Sequence, residues 1–254
     1  MQFTVVTMTR GDAHKIVEWV DFHARLGFGD FQIVLDGDVD GTEDVLRSLL
    51  TRASITVHRK PEVGDYYDGV DPTERARLVE EWRQEHAEAR ASGAMRGHDP
   101  LAWRQHLYFP EVMAPYQAGE RGRGWLTLID VDEFLVLRGG ATLHSLTADQ
   151  TVPRLRFLNF NVDTDGYDPT RTVLEQHTMR WSREDLLDHP DQRWGRRVKS
   201  LVRYRKAQLN ATVHKISRGR HEVVDPDVGR IHHFKMPPGG VDLPYTVHDP
   251  IGPA

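Results

Sequence analysis

The stretch Leu126–Leu137, LTLIDVDEFLVL, sets three carboxylates, Asp130, Asp132 and Glu133, into an otherwise apolar run. Side chains alternate along a strand, so a continuous strand here puts Asp130 and Asp132 on one face and turns Glu133 away from them. In open α/β sheets the carboxyl ends of the strands border the ligand crevice. Two carboxylates at such an edge repel each other unless a cation sits between them or one is protonated. Hard oxygen ligands suit Mg²⁺ or Mn²⁺, ions that join one or two carboxylates to substrate phosphates. The competing reading is a solvated turn capped by Asp130 and Asp132. The apolar flanks, WLTLI before and FLVL after, weigh against it. Glu133 is expected to orient a neighbouring basic side chain or to hold a loop.

Working outward, Gln2–Thr9 (QFTVVTMT) reads as a buried first strand, followed by a turn at Arg10-Gly11-Asp12. Asp12 then looks like the N-cap of a helix whose apolar face carries Ile16, Val17, Trp19, Val20 and Phe22 or His23, ending at Gly27 and Gly29. Phe31–Asp36 is a second strand, Glu43–Thr51 a second helix and Ser54–Arg59 a third strand. Strand and helix alternate as in the βαβ units of a parallel sheet. The charged segment Pro72–Ala91 and the segment Leu101–Gln117 read as two helices covering one sheet face. Pro153–Val162 and Val173–Trp181 read as strands, as do the shorter SLVRYR, ATVHKI and GRIHHFK. Pro237–Ala254 reads as an irregular tail. The expected fold class is therefore α/β, with a Rossmann-like, mostly parallel central sheet flanked by helices and a more irregular C-terminal half. Residues 1–236 are expected to form one domain, with 1–137 as a nucleotide-binding-like half and 138–236 as the more irregular half.

Composition narrows the function classes. The 254 residues suit one large domain, and 39% hydrophobic with 28% charged residues is ordinary for a globular protein. With no cysteine, disulfides and thiolate metal sites are excluded, and a cytoplasmic location is expected. A formal net charge of −5 argues against a non-specific nucleic-acid binder. No apolar run approaches the roughly 20 residues needed to span a bilayer.

Two blocks carry a family resemblance. The first is Glu18, Trp19, His23, Leu26 and Gly27, followed by an apolar strand into Asp36, Asp40 and Thr42; the second is Trp125, Ile129, Asp130, Val131, Asp132, Glu133 and Phe134. In this order and at this spacing they resemble the family-2-like and family-92-like glycosyltransferases of the GT-A fold. The chain departs from that pattern at Arg10-Gly11-Asp12, where an Asn-Glu pair is common, and at Asp36-Gly37, where Asp-Asn is common.

The resemblance implies transfer of a sugar from a nucleoside-diphosphate sugar donor to a glycan, lipid-linked or small-molecule acceptor, with Mn²⁺ or Mg²⁺ at the D-x-D. Asp130 and Asp132 then hold the metal, and Lys199 or Arg197 helps to neutralise the diphosphate. Thr9, Asp36 and Asp38 are candidates for donor binding, although D-G-D-V-D-G-T is also good loop chemistry. Its D-x-D-x-D-G spacing is that of an EF-hand loop too, but the twelfth position is Arg47, so calcium is rejected. His232 or His233 is a further metal ligand, and alternation lets only one of them face the site. His214 is a weaker candidate. For a general base the candidates are Asp163, Asp165 and Glu175. Asn159 and Asn161 are candidates for acceptor hydroxyls, and Trp181 and Trp194 for stacking on a sugar. The alternatives are a nucleotidyltransferase, for which MTRGDAH is a poor phosphate loop, and a non-catalytic nucleotide-sugar-binding module.

Overall fold

The computed structural model describes residues 1–61, 70–188, 197–207, 219–235 and 244–251. The expected strand ATVHKI with His214, Trp194, and residues 237–243 and 252–254 of the tail lie outside them. The strands are β1 (Gln2–Thr9), β2 (Asp30–Asp36), β3 (Ile55–Lys60), β4 (Gly124–Leu128), β5 (Glu133–Leu137), β6 (Arg154–Asn161), β7 (Met179–Trp181), β8 (Val198–Arg203), β9 (Glu222–Val223), β10 (Gly229–His233) and β11 (Tyr245–His248). The helices are α1 (Ile16–Leu26), α2 (Thr42–Leu49), α3 (Pro72–Glu85), α4 (Ala87–Ala91), α5 (Pro100–Ala118), α6 (Leu143–Thr147), α7 (Val173–Gln176) and α8 (Arg183–Asp188).

Among the described residues nine strands form one sheet, ordered β3-β2-β1-β4-β8-β6-β10-β5, with β9 paired to β6. The β1–β2, β1–β4, β2–β3, β6–β10 and β6–β9 pairs are parallel; β4–β8, β6–β8 and β5–β10 are antiparallel. The mainly parallel α/β architecture is the one expected. Strands β1 and β2 are buried at nearly every position because helices cover both faces. Val5 and Ile33 pack under α1 and α2 with Ile16, Trp19 and Leu46. Their neighbours Val6 and Val34 face α5 through Phe109, Val112 and Met113. Asp99 caps α5 by accepting from Ala102 N at 2.7 Å, and Asp71 caps α3 through Thr73 N and Glu74 N. No helix among the described residues is long and apolar enough to cross a membrane.

Several expected elements change. Pro72–Ala91 is two helices, broken at His86. Val173–Trp181 is a helical turn followed by a short strand: the Glu18 carboxylate accepts from Val173 N (2.8 Å) and Leu174 N (3.0 Å), capping α7 from a distant helix. The segment after Pro237 is not wholly irregular, since β11 pairs with β7.

Candidate active site at the strand ends

The carboxyl ends of β1, β4, β6 and β10 meet at one edge of the sheet, and the start of β8 meets them from the antiparallel direction. The stretch that opened the reading is not one strand. It stops at Leu128 and resumes at Glu133, and Ile129–Asp132 is a tight turn. The turn is closed by Glu133 N donating to Asp130 O (3.1 Å) and by Asp130 N donating to Glu133 Oε2 (3.0 Å). It is pinned from below by Trp19, whose Nε1–H is shared between Asp130 O (3.1 Å) and Glu133 O (2.9 Å). His23, four residues on, accepts from Leu135 N at 3.4 Å and stacks on Phe134. The two sequence blocks are thus one structural unit: the helix residues hold the acidic turn.

This turn corrects the expectation for Glu133. Because the backbone reverses, Glu133 turns into the cluster instead of away from it. It is 1% exposed, accepts Asn159 Nδ2 at 2.7 Å and lies 2.7 Å from Lys199 Nζ. The same ammonium lies 2.9 Å from Asp130 Oδ2, so one buried lysine bridges two carboxylates. Register places it there: Lys199 lies opposite Phe157 of β6, in line with the end of β4. Burial pulls the Lys199 pKa down, but Asp130 and Glu133 outweigh it and hold the ammonium charged. Burial pushes Glu133 up, and the charges of Lys199 and His233 bring it below the ordinary carboxylate range.

Asp132 lies on the open side of the turn, with a quarter of its side chain exposed. The antiparallel pairing His233↔Glu133 sets His233 beside it, with Nε2 at 3.2 Å from Asp132 Oδ2. Burial opposes charge on both groups, but their mutual attraction wins: Asp132 lies below its usual range and His233 above its own. His232 points to the other face, where its Nε2 meets Asp249 Oδ2 at 3.1 Å. Burial drives its pKa down to about 4 against that attraction.

The expected metal set, Asp130 and Asp132 with one of His232 and His233, is therefore assembled only in part. Asp130 is engaged by Lys199, His232 faces away, and among the described residues no group of three or more acidic or histidine side chains converges. Asp132 Oδ2 and His233 Nε2 do converge. Two protein donors with an open outer side fit a Mg²⁺- or Mn²⁺-type ion that takes its remaining ligands from phosphate and water.

Cations flank this pair. Lys15 Nζ lies 2.9 Å from Asp12 Oδ1, and Thr9 Oγ1 donates to Asp12 Oδ2 at 2.7 Å, tying the lysine to the end of β1. Burial lowers the Lys15 pKa, but Asp12 and Asp132 together raise it. On the other side Lys235, following β10, is depressed by burial and by the positive charges of Arg197 and Arg75. Neither Lys15, Lys235, Arg75 nor Trp19's clamp was legible as a site feature in the sequence. Of these only Lys15, three residues after Asp12 at a helix start, carried a local signal.

The other expected residues are placed elsewhere. Thr9 serves Asp12, as above. Asp36 is fully buried, with Oδ2 2.6 Å from Arg104 Nε, and its carbonyl accepts from Arg10 Nη1. Asp38 accepts from Glu43 N at 3.2 Å and caps α2. Asp163 and Asp165 occupy the turn after β6, where Asp165 N donates to Asp163 Oδ1 (3.1 Å). Glu175 is exposed and lines a groove of about 770 Å³ on the outer side of α1, with Glu18 and Arg171. The Asn159 amide is occupied by Glu133, Asn161 is buried, and Trp181 is a core residue stacked on Tyr245.

Comparison with known proteins gives no matching family model and no matching curated protein. Solved structures do match in chain path. Staphylococcus aureus TarS 1–349 aligns over 92% of this chain and 60% of its own, at 11% identity and a TM-score of 0.44. The same fragment in complex with UDP-GlcNAc aligns over 94% and 60%, at 12% identity and a TM-score of 0.42. Core-mannan synthase A from Aspergillus fumigatus, in its Mn/GDP form, aligns over 62% and 42%, at 9% identity and a TM-score of 0.35. The chain thus spans less than two thirds of each of these proteins.

Proposed function

We propose that this chain is a metal-dependent glycosyltransferase that transfers a sugar from a nucleoside-diphosphate sugar to an acceptor hydroxyl. The observation that carries the reading is the division of labour in the acidic turn. Lys199 pairs with the buried Glu133 and with Asp130, which leaves Asp132, partly exposed like Asp130 but not tied to the lysine, as a cation-binding pair with His233. A divalent ion bound there would bring positive charge to the departing diphosphate. The chain's own residues do the rest. Lys15 on one side, and Arg197 with Lys235 and Arg75 on the other, offer fixed positive charge to phosphate oxygens. Asp130 and Glu133 position Lys199, and Trp19 keeps the turn from opening. Thr9, Asp36 and Asp38 shape the nucleoside side, Asp36 and Thr9 acting through Arg104 and Asp12. Asp163, half-buried directly after β6, is the candidate base for the acceptor hydroxyl, with Asp165 and Glu175 behind it.

The test is product analysis. With a panel of nucleoside-diphosphate sugars and Mn²⁺, the protein releases nucleoside diphosphate, and Asp132→Asn lowers the rate at least about hundredfold. Release of pyrophosphate, as a nucleotidyltransferase gives, or an unchanged rate in the variant contradicts the reading.

A further inference from the structure

The edge of the sheet opposite the acidic turn has the reverse charge. There the amino ends of β4 and β6, the carboxyl end of β8 and strand β9 lie side by side: Trp125 pairs with Arg203, Arg154 with Val202, and Arg156 with Val223. The loop entering β4 presents Arg121 and Arg123, both exposed. The turn leaving β8 presents Arg205 and Lys206, again exposed, beside the exposed Arg203. From β6, Arg154 and Arg156 reach the two ring nitrogens of His221 at 3.1 and 3.2 Å, and Arg220 stands exposed next to it. A neutral imidazole has one lone pair, so it accepts from only one of these two guanidiniums, and the other is left facing an N–H.

Against these eight cationic side chains the same edge carries five exposed carboxylates, Glu120, Asp149, Glu222, Asp225 and Asp227. Arg121, Arg123, Arg205, Lys206 and Arg220 make no ion pair among the described residues, on a chain whose net charge is −5. Elsewhere the arginines are largely committed, as Arg104 is to Asp36, Arg77 to Glu74 and Glu81, and Arg180 to Asp249. A basic rim of this kind inside an acidic protein is a field built for a polyanion. The charges are spread along strand ends spaced about 4.8 Å apart. Val223, 50% exposed, protrudes among them. The aromatic rings of this edge, Trp125, Tyr116 and Tyr204, are buried, so there is no platform on which nucleic-acid bases could stack. Open basic charge with a protruding aliphatic side chain suits a charged planar interface better than a folded ligand or a base-paired duplex.

We infer that this rim is a docking surface for an anionic lipid bilayer, which it meets edge-on with the acidic turn directed away from the lipid. The inference does not depend on the proposed chemistry. The test is vesicle sedimentation of the full chain in about 0.1 M salt, where surface charges act over about 10 Å. Vesicles of phosphatidylcholine with about 30% phosphatidylglycerol carry the required negative surface potential. The protein is expected to pellet with these vesicles, to stay in solution with pure phosphatidylcholine, and to be released by about 0.5 M salt. The triple variant Arg205→Glu, Lys206→Glu, Arg220→Glu alters exposed side chains only, and is expected to weaken binding by at least about tenfold. Circular dichroism and the unfolding midpoint confirm that the variant is folded. Absence of pelleting with anionic vesicles overturns the inference, as does a folded triple variant that binds as well as the parent. So does tighter binding to a DNA duplex than to the vesicles, which reassigns the rim to nucleic acid.

Discussion

Two acidic stretches follow parallel strands in this chain, DGDVDGT after β2 and IDVDE after β4, and they are used in opposite ways. In the first, every carboxylate is occupied by its own surroundings. Asp36 is sealed against Arg104, Asp38 caps α2, and Asp40 accepts from Ala13 N and from Thr42 N and Oγ1. In the second, two carboxylates share one buried ammonium, and the third, partly exposed, pairs with a histidine instead. Carboxylate density alone therefore does not mark a site. What marks it is a carboxylate held in place by neighbours whose own charges are already satisfied.

The largest effect expected from breaking this arrangement is at its buried centre. Lys199→Met leaves Asp130 and Glu133 with no cation, and is expected to cost about 3–5 kcal/mol in urea unfolding. A cost below about 1 kcal/mol would show that the ammonium is dispensable and that the turn is not built on it.

The clamp under the turn makes stability pH-dependent. His23 is fully buried, hydrogen-bonded through Nδ1 to Trp19 O at 2.8 Å, and burial lowers its pKa to about 3 against that hydrogen bond. It is neutral in the fold and titrates near 6.5 when unfolded, so its stabilisation is complete above pH 6.5 and is lost as the pH falls towards 3. Between pH 7 and pH 5 that loss is on the order of 2 kcal/mol, and His23→Gln should flatten the profile over this range. Trp19→Phe removes the indole N–H shared by Asp130 O and Glu133 O, with an expected cost of about 1–3 kcal/mol. Asp40→Ala, in the other stretch, removes only loop and cap hydrogen bonds. About 1 kcal/mol is expected, with donor binding unchanged.

The difference between the stretches also explains what was legible beforehand. Strands β1 to β4 and helices α1, α2 and α5 follow from apolar runs, signals that are local in sequence; the Asp99 cap of α5 forms, whereas Asp12 is not the N-cap of α1, which starts after Lys15. Pattern alone makes the acidic turn a continuous strand, because the Trp19 side chain that pins the turn lies 111 residues from Asp130. For the same reason strand alternation puts Glu133 on the wrong face, although the sequence does mark Asp132, His233 and Lys199 as candidates. His232 and His233 could not be separated by pattern alone, since alternation says that they differ but not which faces inward. The pairing of β10 with β5 decides it. Lys15, Arg75 and Lys235 come from three separate segments and share no sequence motif. Val173–Gln176 read as strand because its cap, Glu18, belongs to α1.

Asp132 is where the comparison is sharpest, since it is the carboxylate of the second stretch not tied to Lys199. Asp132→Asn is expected to change the unfolding midpoint little, within about 1 kcal/mol, because the side chain is partly exposed. The most direct measurement is a thermal-shift matrix of the wild type and this variant with Mn²⁺, with a nucleoside diphosphate, and with both. Ligand linkage predicts a saturable rise in Tm for the wild type only when both are present, and none for Asp132→Asn. An equal rise in the folded variant, or a rise in the wild type with the nucleotide alone that Mn²⁺ does not enlarge, would contradict a cation held between Asp132 and His233.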